Sequence, residues 1–307
     1  MKYPFREYHL FQLLSEYEAA QLPMDVSIHN YFRTHKALGS GDRRFIAETA
    51  YGMLRWKGLL EALTTQCDWP GLFAAWRSLD SRSSEELKKL PLATQVSCPQ
   101  ILWDWLCNSH GEARAEELCR ASNTQAPTTI RANRMKTDRD TLLKRLAHEH
   151  DVEACPDSPS GIRFRQRANF FQLPEFKEGL FEVQDAGSQL LADLVAAEPG
   201  QKVLDFCAGS GGKTLAFAHR LCGQGQIYLH DVRRHALYEA RKRLKRAGIQ
   251  NAQLLWEDAP QHSKLKKKMD WVLVDAPCSG TGTLRRNPDM KWRYTEATLR
   301  DLCALQR

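Results

Sequence analysis

Gln201-Lys-Val-Leu-Asp205-Phe-Cys-Ala-Gly-Ser-Gly-Gly-Lys-Thr214 decides the fold. Its first five residues read as a buried strand, a Gly-rich turn follows, and helical sequence then runs to about Leu221. Glycines in such a turn let the backbone bend tightly and approach a ligand closely. The alternation continues. Gln226 to Asp231 reads as a second strand, a basic helix runs to Ala247, and Ala252 to Trp256 and Met269 to Asp275 read as third and fourth strands. This predicts an α/β Rossmann-like domain with a parallel, doubly wound sheet, its ligand beyond the carboxyl ends of the strands.

Upstream the character differs. From Pro127, short β-prone runs at Thr128 to Asn133, near Val152 and at Ile162 to Phe164 surround a helix capped near Thr137 to Asp140 and ending about His148. They predict a small α+β unit whose Arg131, Arg134, Arg163, Arg165 and Arg167 make a basic rim facing RNA. The N-terminal part reads as helices. Asp42 is the expected cap of one in which Ile46, Ala50, Met53, Trp56, Leu60 and Leu63 recur at helical spacing. Asp80 to Glu86 reads as a loop, and helix resumes over Pro99 to Cys119. The expected division is therefore 1–120 helical, 121–182 α+β and 183–307 Rossmann-like, the last with an incomplete sheet.

The 307 residues carry a formal charge of +7, with 42% hydrophobic and 26% charged residues, ordinary for a globular chain that can bury a core. No apolar run approaches the roughly 18 residues that a membrane span needs, and the start lacks an apolar signal core. The expectation is a cytoplasmic monomer with no membrane contact. Basic residues crowd three stretches of the last part: Arg233 to Arg246, Lys264 to Lys268 and Arg285 to Arg293. Three clusters in one domain favour a nucleic-acid partner over solvated faces. The nine cysteines show no zinc-type spacing, so the expectation is reduced thiols and no metal.

Two ligands compete for the Gly-rich turn. Gly212-Lys213-Thr214 ends like a phosphate-binding P-loop, but that motif needs a glycine where Cys207 stands. S-adenosylmethionine calls instead for carboxylates at successive strand ends, and Asp205, Asp231, Asp258 and Asp275 stand there in register. Asp231 is placed to accept from ribose hydroxyls, and Asp258 to meet adenine. Cys278 follows in Asp275-Ala-Pro-Cys-Ser-Gly-Thr-Gly-Thr283. Carbon 5 of cytosine is a poor nucleophile towards a methyl sulfonium; a thiolate added to carbon 6 makes the ring reactive. A carboxylate such as Asp275 steadies the ring's developing charge, and the base must leave its stack. Residue chemistry alone names Cys278 the attacking thiol.

Cys207-Ala-Gly-Ser-Gly-Gly-Lys213 and Asp275-Ala-Pro-Cys-Ser-Gly-Thr-Gly282 together resemble the paired motifs of the Sun/Nop (RsmB-like) family of S-adenosylmethionine-dependent RNA cytosine-5 methyltransferases. Gln184-Asp-Ala-Gly-Ser-Gln189 resembles that family's lead-in, and Arg285-Arg-Asn-Pro-Asp-Met-Lys-Trp292 its extension. Thr129 to Thr137 resembles its small RNA-binding domain, and Gly41 to Trp56 the NusB-like helical domain of the bacterial branch acting on small-subunit (16S) ribosomal RNA. The resemblance implies cofactor contacts from Cys207, Ala208, Gly209, Ser210, Gly211, Gly212, Lys213, Asp231, Asp258 and Asp275, with Lys213 also neutralising a nearby carboxylate. It makes Cys278 the cysteine that releases product, the nucleophile being another cysteine in a Thr-Cys motif after a fifth strand. No Thr-Cys pair occurs here, and the sequence stops at Arg307 after four strands. The expectation is thus a truncated chain, or one that has lost the chemistry and binds RNA only. Transfer RNA is the alternative substrate, and a sheet of four strands should leave an apolar edge and face uncovered.

Overall fold

The computed structural model describes residues 3–166, 168–256 and 264–307. By its contacts the chain forms two compact units, 1–126 with 278–307, and 127–277.

The first unit is helical: α1 Phe5–Ala20, α2 Met24–Thr34, α3 Ser40–Ala62, α4 Trp69–Ser78, α5 Ser84–Lys88, α6 Leu92–Gln95, α7 Gln100–His110 and α8 Glu112–Ser122. Ile46, Ala50, Met53 and Leu60 lie on the buried face of α3 with Leu10, Leu13, Leu14 and Met24, as their spacing requires. Asp42 is not the cap of α3. Gly39 is, and Asp42, three residues on, accepts from the Gly39 amide at 3.2 Å. The expected helix over Pro99 to Cys119 is broken at Gly111, whose φ of 80° ends α7 and starts α8. The expected loop at Asp80 to Glu86 contains the start of α5, capped by Ser83.

The segment after Cys278 packs into these helices. Asp289 accepts from the Met24 amide at the start of α2 (3.1 Å). Lys291 Nζ donates to the Arg55 carbonyl (2.6 Å) and Trp292 Nε1 to that of Leu54 (2.6 Å), both on α3. Burial pulls the Lys291 ammonium down to about 8.

The second unit begins with an antiparallel sheet: β1 Thr128–Ala132, β2 Val152–Ala154, β3 Gly161–Phe164 and β4 Phe181–Val183, in the order β2-β3-β1-β4. The fourth strand is additional to the three expected. Helices α9, Arg139–Leu146, and α10, Pro174–Lys177, supply Leu142, Leu146 and Phe176 to a core with Ile130, Ile162, Phe164 and Phe181. Asp138 caps α9 by accepting from the Thr141 amide. Arg131 is not on a basic rim: it stands opposite Glu182 in the sheet and is 4% exposed. Arg163 and Arg165 are paired with Glu153, Asp157 and Asp151. Arg167 lies outside the described residues.

Helix α11, Ala186–Asp193, leads into the Rossmann-like part: β5 Lys202–Asp205, α12 Gly212–Phe217, β6 Gln226–His230, α13 Arg234–Ala247, β7 Ala252–Leu255 and β8 Trp271–Leu273. All strands are parallel, in the order β7-β6-β5-β8. The chain moves outward from β5 through β6 to β7, then returns to place β8 on the other side of β5. That reversal opens a crevice at the carboxyl end of β5, where ligands of such sheets bind. Val203, Ile227, Leu229, Phe217, Leu237 and Ala240 form the core beneath it. β8 is the edge of the described sheet. Val272 and Val274 are each 57% exposed, so apolar surface is uncovered there as a four-stranded sheet requires. Among the described residues no helix is long and apolar enough to cross a membrane.

Candidate functional site

The Gly-rich turn crosses the mouth of that crevice because β5 and α12 need a link with no side chains in the way. Gly209 and Gly211 take φ of 54° and 77°, which favour glycine. A Cβ on Gly211 would also lie 3.3 Å from that of Ala240. The turn is pinned to β6: the Ala208 amide donates to the His230 carbonyl at 2.9 Å, and the Gly209 amide to Asp231 Oδ2 at 2.7 Å. A cleft of about 300 Å³ opens beside it, lined by Cys207, Ala208, Ser210, Gly212, Lys213 and Asp275 among others. Six of the expected site residues thus meet in one place.

The charged groups there are partnered. Lys213 Nζ is paired with Asp275 across the crevice, the neutralisation that the family resemblance implies. Asp231 takes the Arg233 amide and the two-pronged Arg233 guanidinium besides Gly209. Burial pushes this carboxyl up, but the hydrogen bonds from Arg233 and Gly209 outweigh it and hold it below its ordinary value. The Arg233 side chain is 60% exposed, whereas that of Asp231 is 5% exposed. Burial, with Asp231, Asp205 and Asp275 nearby, pushes the Cys207 thiol up, which keeps it protonated and unsuited to attack.

Two residues answer the P-loop alternative. Thr214, whose hydroxyl would have to face a metal-bound nucleotide, is fully buried and donates to Asp205 Oδ2 at 2.7 Å. Lys213, the expected phosphate contact, is given to Asp275.

Cys278 is exposed and begins the segment that packs in the first unit. Asp258 lies outside the described residues. Among the described residues no group of His, Cys, Asp or Glu could hold a metal ion. Sequence reasoning missed Arg243 and Gln184 as parts of the site: Arg243 counted only within a basic cluster read as favouring a nucleic-acid partner, and Gln184 only as family lead-in. Both line the cleft.

A parallel sheet with a Gly-rich turn after its central strand, and carboxylates at the neighbouring strand ends, is the Rossmann-like arrangement of methyltransferases. The comparisons agree with the paired motifs. Residues 192–307 match the family model of the 16S rRNA methyltransferase RsmB/F, and residues 98–170 that of the RsmF/B-like ferredoxin-like domain. The chain belongs to this RsmB/F family. It is 35% identical over 225 residues to the probable ribosomal RNA small subunit methyltransferase B of Synechocystis, covering 72% of this chain and 50% of that protein. It spans about half the length of the curated relatives it matches. Its fold is similar to that of PH0851 (TM-score 0.77, 21% identity, 100% of this chain and 82% of that one). It is also similar to a methyltransferase homologue from Pyrococcus horikoshii (TM-score 0.57, 29% identity, 68% of each chain).

Proposed function

We propose that this chain carries the cofactor-binding part of an S-adenosylmethionine-dependent RNA cytosine-5 methyltransferase acting on small-subunit ribosomal RNA. The observation that carries the reading is the turn at the β5–β8 switch point, pinned to Asp231 and beside the Lys213–Asp275 pair. The donor set fits the cofactor. Cys207 to Lys213 offer a close backbone approach, and Asp231, once Arg233 withdraws, offers a carboxylate to the ribose hydroxyls. Asp258 is assigned to adenine by its place after the third strand. Asp275, its charge matched by Lys213, faces the reacting ring.

When bound, S-adenosylmethionine supplies an electrophilic methyl group. The protein's part is to hold it, to screen it from water and to present a flipped cytosine beside it. The family resemblance implies product release by Cys278, with the attack made by another cysteine; the exposure of Cys278 is compatible with either thiol role. The ferredoxin-like part and the N-terminal helices are assigned to holding the RNA.

Titration calorimetry on the 307-residue chain tests the reading. One S-adenosylmethionine should bind per chain, and magnesium–ATP should not. Heat from magnesium–ATP, or none from S-adenosylmethionine, would overturn it.

A further inference from the structure

The Gly-rich turn is held from a second side, by residues that lie outside both the turn and the strand ends. Arg243, on the inner face of α13, donates through Nη1 to the Ser210 carbonyl at 3.0 Å and to Ser210 Oγ at 2.7 Å. The rest of its guanidinium grips Glu182 Oε2 at 3.0 and 3.1 Å. Glu182 is on β4, the last strand of the ferredoxin-like sheet, and is 3% exposed. Its other oxygen takes Arg246. Two residues on, Gln184 Nε2 donates to the Gly212 carbonyl at 3.1 Å while its Oε1 accepts from the buried Arg131 at 2.7 Å.

Two struts therefore run from the ferredoxin-like sheet to the turn, one ending on Ser210 and one on Gly212. Each fixes the plane of a peptide, since a trans peptide moves as a rigid unit. Charge-assisted hydrogen bonds in a site this buried are stronger than their exposed counterparts. The turn itself contains Gly209, Gly211 and Gly212, which have the most conformational freedom to lose.

We infer that Arg243, braced by Glu182, is a positioning residue that holds the Gly-rich turn in its ligand-ready form, so that cofactor affinity depends on the neighbouring ferredoxin-like sheet. The inference rests on the cofactor reading above, but the state of the turn can be measured without any cofactor. Arg243→Met leaves Glu182 its partner Arg246, so no carboxylate is stranded.

The test is hydrogen exchange over 206–215 in the ligand-free chain, with S-adenosylmethionine affinity measured by calorimetry on the same samples. Arg243→Met should speed exchange in that segment, leave β5 and β6 protected, and weaken binding about tenfold; Arg243→Lys should recover part of both. Exchange and affinity within twofold of wild type would overturn the inference. So would faster exchange spread evenly over the whole sheet, which marks a merely structural role. A wild-type chain that binds no S-adenosylmethionine, while Arg243→Met still loosens the turn, retires the cofactor reading and supports the bracing role.

Discussion

The hydroxyl of Thr214 donates to Oδ2 of Asp205 at 2.7 Å, tying the first turn of α12 to the end of β5 beneath the Gly-rich turn. The other carboxyl oxygen, Oδ1, is buried with no hydrogen-bond partner among the described residues. Burial therefore pushes this carboxyl from its ordinary 3.8 up to about 6, against the Thr214 bond and the nearby Lys213 that lower it.

That raised pKa sets a pH dependence. The folded chain holds the proton to higher pH than the unfolded one, so the contribution of Asp205 to stability falls as pH rises from 3.8 through about 6. The full effect across that window is about 3 kcal/mol. Urea unfolding at pH 5 and pH 7.5 should show a gain at the lower pH that Asp205→Asn reduces by roughly 1 kcal/mol. Equal pH dependence in both proteins would show that Asp205 ionises normally.

Asp231 and its clamp should respond with opposite signs. Asp231→Ala removes the expected ribose contact and the tie to Gly209, weakening S-adenosylmethionine binding by on the order of 1–3 kcal/mol. Arg233→Ala removes the guanidinium that competes for the same carboxylate, so affinity should hold or rise. Calorimetry decides; a loss in Arg233→Ala as large as in Asp231→Ala would mean that Arg233 itself contacts the ligand.

Gly52, inside α3, offers a reversed-sign test. Glycine to alanine within a helix ordinarily stabilises by about 1 kcal/mol. A Cβ at Gly52, however, would stand 2.6 Å from Cζ2 of Trp76 on α4, where the ring has to move. Gly52→Ala should destabilise by roughly 1–3 kcal/mol in thermal or urea unfolding. A raised melting temperature would show that the ring has room.

The exposed edge should tolerate charge. Val272 points away from the core on β8, so Val272→Lys should change unfolding free energy by less than about 0.5 kcal/mol. It should raise the concentration at which the chain aggregates, because a lysine blunts edge-to-edge pairing. Light scattering and unfolding together check this, and a marked destabilisation would mean that Val272 is packed.

Much of the Rossmann-like part is legible in local pattern. Buried-type strands, a Gly-rich turn and an amphipathic basic helix each declare themselves within a dozen residues, and α13, Arg234–Ala247, ends where the sequence reading places its end. Helix ends are less legible: Gly111 breaks a continuous apolar pattern only because its φ is positive, which composition does not reveal. β4 is not read from the sequence; it pairs antiparallel with the edge of β1 that β3 leaves free.

For the site, the residue types and spacing of Cys207 to Lys213 and Asp275 to Cys278 were enough by themselves to point to the Gly-rich turn, and six of the residues so named line one cleft. Only the tertiary structure decided which charges are spent and which are available. Arg131 and Arg243 look like the other arginines of a basic chain, yet Arg243 is held by the buried Glu182 on β4 and Arg131 by Gln184 just beyond it. The physical reason is that a charge's role depends on the partners within a few ångströms, and those partners come from residues more than fifty positions away in the chain.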